Sequence, residues 1–228
     1  MNFGKSSPAR QNGNAMIYVL LALALIGVLT ATMMRQDGIG GDDISADQVE
    51  LQAIQILEYA SAAQMAIDQM LMSGANPDNL DFALPSASSF NTAPYHNKIF
   101  HPQGGGLNHK ALNPGVIHQV SSSPAPAFYL GKVGNVEWTK TSAPEIMFAA
   151  YQISRPVCEN LNKKITGTTT IPATSSSMSQ NFLAAPLWVA SNEDLTKIRC
   201  PGCEGYSTLC VSRGAGDAFT FYSVIVGR

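Results

Sequence analysis

Residues 15–34 form an almost unbroken apolar run, AMIYVLLALALIGVLTATMM, and no charged side chain occurs between Arg10 and Arg35. A run of this kind leaves few folding options. At a rise of about 1.5 Å per residue, a helix over it is about 30 Å long, the thickness of a bilayer's hydrocarbon core. Lys5 and Arg10 precede it, and positive charge on that side favours a cytoplasmic N-terminus with the remainder sent across.

The run is longer than the apolar region of a secretory signal, which has roughly 7–15 residues and ends at a small-x-small cleavage site. Thr30-Ala31-Thr32 matches such a site poorly, and no Cys follows the run to receive a lipid. One reading is an uncleaved signal anchor. Another places the break before the run, at Gly13-Asn14, so that the apolar helix stays on the mature chain.

Lys5, Arg10, Gly13 and the run from Ala15, with Gly27 as a soft point in the helix, resemble the type IV pilin and pseudopilin family. Its members carry a short basic leader ending in Gly, cut on the cytoplasmic side directly before an apolar helix. Two positions depart from the pattern. Asn14 stands where Phe or Met is usual, and Tyr18 stands where the family has a Glu that pairs with a neighbouring subunit's amino terminus. The resemblance therefore implies a minor, tip or divergent subunit. It also implies processing at Gly13 and Asn14 by a prepilin-peptidase-like enzyme, and partnership with the inner membrane and other pilin-like subunits. The implied location is the bacterial inner membrane, single pass, with the C-terminal domain periplasmic or extracellular.

Beyond the run, residues 36–44 (QDGIGGDDI) are a Gly- and Asp-rich breaker. A helix restarts at Ser45, whose hydroxyl can cap it with Gln48 at the capping-box spacing. Val49, Ala53, Ile56, Ala60, Ala63, Ile67 and Met70 recur at alternating steps of four and three, and Ile54, Leu57 and Leu71 widen the stripe. Ser73-Gly74 and then Asn76-Pro77 should end it. The stripe can pack on the protein's own domain or on another subunit, and a pilin would use one face for each.

The expected fold class is α+β: a long N-terminal transmembrane and amphipathic helix followed by a small antiparallel sheet domain with long loops. The boundaries are 1–13 for the leader, 14–35 for the transmembrane helix, 36–44 for the breaker, 45–73 for the amphipathic helix and 74–228 for an exported α+β domain. Within that domain, residues 127–130, 135–139 and the segment around Trp188 read as short strands. Residues 144–162 read as helical at both ends, with Pro156 starting the second piece. The turn 213–217 leads into AFTFYSVIVGR, a strand hairpinned with its predecessor.

Cys158, Cys200, Cys203 and Cys210 are the four cysteines. In an exported domain an even number reads as two disulfides, with Cys158 joined to one member of the 200–210 cluster. The partner is not fixed by spacing. Cys200-Pro201-Gly202-Cys203 could instead be a redox pair, although no βαβ unit precedes it, and four thiolates could hold zinc. A disulfide closing a loop of about 50 residues contributes about 4 kcal/mol on the chain-entropy model, which favours the structural staple.

Little else points to chemistry. A formal net charge of −2 with 13% charged residues leaves no basic footprint for nucleic acid. His96, His101, His109 and His118 fit no metal-ligand spacing, and Gly104-Gly105-Gly106 is not followed by the Lys-Ser/Thr of a phosphate loop. Glu137, Glu145 and Glu159 stand apart in sequence, and the serine tracts 121–123 and 175–177 read as loops. The expectation is a non-enzymatic protein without cofactor or metal: a pilin-like structural subunit of an envelope filament or secretion pseudopilus. The competing reading is a single-pass, signal-anchored periplasmic binding or thiol-redox protein, and a small extracellular ligand-binding module is a third.

Overall fold

The computed structural model describes Leu23, Leu25, Ile26 and residues 45–214 and 216–227. The chain divides into two units, residues 1–44 and 45–228. In the first, Leu23, Leu25 and Ile26 are helical and exposed. The leader 1–13, the processing pair Gly13 and Asn14, the breaker 36–44 and most of the expected transmembrane helix 14–35 lie outside the described residues.

The second unit begins with helix α1 (Ala46–Met72). Ser45 Oγ accepts the Gln48 N–H at 3.3 Å, as the capping spacing predicts. Val49, Ala53, Ile56, Ala60, Ala63, Ile67 and Met70 are buried and Tyr59 and Ala66 join them, whereas Ile54, Leu57 and Leu71, expected to widen the stripe, are half-buried. The helix stops where Gly74 takes φ +92°, a conformation that glycine adopts without strain.

Five strands follow in the order β1-β2-β5-β4-β3: β1 (Ala127–Lys132), β2 (Ile146–Tyr151), β3 (Ala173–Thr174), β4 (Thr208–Arg213) and β5 (Phe219–Val226). Helix α2 (Arg155–Thr166) connects β2 toward β3, and a single-turn α3 (Met178–Phe182) follows β3. The pairs β1–β2, β2–β5 and β4–β5 are antiparallel, but β3–β4 is parallel.

The expected architecture therefore needs correction on two counts. The sheet is mixed rather than antiparallel, because β3 reaches its place beside β4 only after α2. Among the described residues no helix is long and apolar enough to cross a membrane. The longest, α1, carries Asp47, Glu50, Glu58 and Asp68 on its outer side, which suits it to one wet face and one packed face.

Three local expectations also fail. Residues 146–151, IMFAAY, form a strand whose six residues are all buried. A short, wholly apolar run is indistinguishable from a buried helix by periodicity, and here neighbours on both edges decide. Around Val136 only an isolated parallel bridge to Leu195 forms, and the Trp188 segment is a turn. The C-terminal hairpin does form, with Cys210 opposite Phe221 and Leu209 opposite Tyr222.

Both faces of the sheet are covered. On one, α1 and α2 pack over Phe128, Phe148, Phe221 and Cys210; the Tyr59 ring sits 4.9 Å from Phe128 and 5.6 Å from Phe148. On the other, Tyr129, Met147, Ala149, Leu209, Val211 and Tyr222 meet Met178, Phe182, Leu183, Leu195 and the pair Cys200 and Cys203. Phe182 stacks on Tyr222 at 5.1 Å. One face is roofed by helices, the other by α3 and loops.

Candidate functional site

Cys158 lies in the first turn of α2, directed at the sheet, and bonds Cys210 in β4; the Cα atoms are 5.4 Å apart and both residues are fully buried. This identifies the member of the 200–210 cluster that Cys158 takes. One helical turn further, Asn162 is also fully buried. Its Oδ1 accepts the Cys210 N–H at 2.8 Å, while Nδ2 donates to the Cys210 and Thr170 carbonyls, each at 2.8 Å. Helix and strand are thus joined twice, by a covalent bond and by an amide that brackets the same residue. Sequence reading missed Asn162. The available signal was an uncharged polar residue four positions after a cysteine, on the helix face that the cysteine fixes as inward.

Cys200 and Cys203 bond each other across the short turn Pro201–Cys203, with Cα atoms 5.3 Å apart. Both are fully buried among the side chains of the loop-covered face. Thiol–disulfide exchange requires an attacking thiolate to reach a sulfur, and this pair is packed under its own turn. Gly202 is needed there because a Cβ would lie 2.9 Å from the Pro172 ring. The arrangement behaves as a structural clip.

The segment 75–126 has little regular structure, yet its order is specific. Lys98 is 3% exposed, pairs with Asp81 at 3.1 Å and donates to the Ser89 carbonyl at 2.5 Å. The Gly triplet closes around it: a Cβ on Gly104 would stand 2.1 Å from the Lys98 carbonyl oxygen, and one on Gly105 2.7 Å from that of Ile99. These glycines serve backbone approach. The histidines are dispersed: His101 stacks on Tyr95 at 4.5 Å, His109 meets the Phe100 edge and His118 lies near Phe219. Among the described residues no group of three His, Cys, Asp or Glu side chains could hold a metal ion.

The carboxylates singled out by sequence are each engaged separately. Glu145 is fully buried and accepts the Thr139 hydroxyl at 2.5 Å, a placement its charge did not foretell. Glu137 accepts the Lys197 N–H at 2.8 Å, and Glu159 faces Arg155 at 3.8 Å. Along the outer side of α1, Leu51, Met65 and Met72 are 55%, 66% and 89% exposed. They stand at multiples of seven residues, so they share one strip of the helix surface.

No protein-family model, no curated protein and no solved structure matches the chain.

Proposed function

We propose that this chain is a pilin-like structural subunit of a bacterial envelope filament or secretion pseudopilus, acting by assembly and display rather than by catalysis. The observation that carries the proposal is the division of α1: an inner stripe packed on its own sheet and an outer strip presenting Leu51, Met65 and Met72. Apolar side chains repeated along one helix strip favour a neighbouring surface over water. Two disulfides fit an oxidising compartment outside the cytoplasm. The leader pattern Lys5, Arg10, Gly13 and Asn14 supplies the processing reading, with a prepilin-peptidase-like enzyme as partner and other subunits of the same kind as assembly partners. Placement in the inner membrane before assembly rests on that leader and the apolar residues after it.

Intact-mass analysis of protein isolated from its native envelope, before and after reduction, tests the proposal. The expected result is loss of residues 1–13, with about 4 Da gained on reduction, two hydrogens for each disulfide. A full-length chain overturns the processing claim. Free thiols in the same sample return weight to the thiol-redox reading.

A further inference from the structure

Tyr59, Tyr129 and Tyr222 are buried, and each phenol donates to a backbone carbonyl: Asn108 at 2.9 Å, Ala125 at 2.5 Å and Tyr206 at 3.0 Å. Tyr151 is buried to a similar degree, 7% exposed, yet among the described residues its hydroxyl has no hydrogen-bond partner. The Tyr151 oxygen is not among the enclosed polar atoms that lack a partner, so it is open to a bonding group from outside the fold. Tyr151 lines a cleft of about 600 Å³ at one end of the sheet, where β2, β3 and β4 stop. That volume lies within the range of small-ligand sites.

The walls of the cleft come from the two serine tracts that sequence reading set aside as loops. Ser121, Ser123, Thr174, Ser176 and Ser177 line it; the Ser121, Thr174, Ser176 and Ser177 hydroxyls each bond a neighbouring group, and each retains part of its donor and acceptor capacity. One wall is held by an unusual residue. Gln152 has φ +58°, the left-handed region that a residue with a side chain rarely adopts, and it is 1% exposed. Its amide accepts the Val120 and Ser121 N–H groups at 2.5 and 2.7 Å and donates to the Ser121 and Pro124 carbonyls at 2.9 Å. Backbone strain held in place by a complete set of hydrogen bonds is characteristic of a site whose shape matters.

The charge pattern selects the ligand. Among the described residues Arg213 is the one cation in the lining, and Asp217 pairs with it through two hydrogen bonds, Nε to Oδ1 at 3.0 Å and Nη2 to Oδ2. No uncompensated positive charge remains for an anion. Hydroxyls both donate and accept, which suits a ligand bearing many hydroxyls, while Met178, Pro124 and Ala218 offer apolar surface to its C–H groups. We propose that this cleft is a binding site for a neutral saccharide, with the Tyr151 hydroxyl as a direct hydrogen-bonding group. The site stands whether or not the chain assembles into a filament.

The test is titration of the full-length chain with cellobiose, maltose and N,N′-diacetylchitobiose, followed by NMR, with inorganic phosphate as the anionic control. The expected result is saturable shifts at Gln152, Gly214 and Ala218 with at least one disaccharide and none with phosphate. Tyr151→Phe should weaken that binding roughly tenfold, the loss of one good hydrogen bond. Ser177→Trp, an exposed rim substitution that leaves the core untouched, should abolish it. A longer oligomer of the active sugar binding more tightly than the disaccharide would identify a glycan chain as the source. Absence of shifts with all three sugars, shifts centred on Arg213 with phosphate, or sugar binding unchanged in both variants overturns the proposal.

Discussion

The two faces of the sheet are secured differently. Under α1 and α2 the cover is regular helix, joined to β4 by the Cys158–Cys210 bond and by Asn162. On the opposite face the cover is α3 and irregular chain, with a disulfide that spans only from Cys200 to Cys203. Loop-closure entropy grows with the length of chain enclosed. A bond across 52 residues constrains the unfolded ensemble far more than one across three. On the chain-entropy model these are worth about 4 and about 2 kcal/mol. The helix face therefore carries the global staple, while the loop face carries a local clip that fixes one turn.

The largest effect should come from removing the staple. The double variant Cys158→Ala/Cys210→Ala should lose at least about 4 kcal/mol of unfolding free energy, because cavity terms add to the lost cross-link. Cys200→Ala/Cys203→Ala should lose about half as much. Urea denaturation of both variants beside the wild type measures the contrast. Equal losses would mean that the loop face is as strongly tied to global stability as the helix face, and the distinction would fail.

Next in size is Asn162→Ala. It leaves the disulfide intact but removes three hydrogen bonds to the backbone, two of them to buried groups of Cys210. Leaving such groups unpaired costs about 3 kcal/mol in total. In the Cys158→Ala/Cys210→Ala background the same substitution should cost measurably less, since helix and strand are no longer held in register. Strict additivity in that cycle would show that the amide and the disulfide act independently.

The difference between the faces also explains what could be read from the chain. The α1 stripe was legible because Val49 to Met70 repeat at helical spacing, and Ser45 and Gly74 mark the ends. The C-terminal hairpin was legible because a turn precedes a long run of strand-forming residues. Residues 146–151 were not, because a central strand buried on both faces has no alternation to betray it. The cover of the loop face was read worst. Trp188 and Val136 are apolar like strand residues, but their partners, Tyr129 and Leu195, are remote in sequence. For the candidate sites, the four cysteines announced themselves by type, whereas Asn162, Gln152 and Tyr151 acquire meaning only from partners, present or missing, that folding brings near.

Alkaline titration probes the loop face directly. Burial, followed by the neighbouring Tyr151 phenol, pushes the Tyr129 hydroxyl up to about 12 from its ordinary value near 10. The folded state then holds its proton over a range where the unfolded state has released it. The Tyr129 contribution is thus complete below about pH 10 and declines as pH rises toward about 12, by roughly 2–3 kcal/mol. Tyr129→Phe should flatten the fall in stability over that window, read by denaturant melts at stepped pH. A wild-type curve that stays level there would show that the Tyr129 environment opens to water.

The smallest effect belongs to the surface link between the two helices of the opposite face. Glu50 of α1 meets Lys164 of α2 at 2.7 Å, and the hydrogen bond from Lys164, then its charge, hold the Glu50 carboxyl below its ordinary value. A lowered value means that the contribution is present above the ordinary carboxylate range and disappears as pH falls through the lowered one. Because the carboxylate faces solvent, salt screens the attraction and side-chain freedom opposes it. Glu50→Gln should move the urea midpoint slightly at neutral pH and low salt, and not at all at high salt or below the carboxylate range. A large, salt-independent loss would mean that α1 depends on this pair rather than on its buried stripe. That result would reverse the account of how the helix face is held.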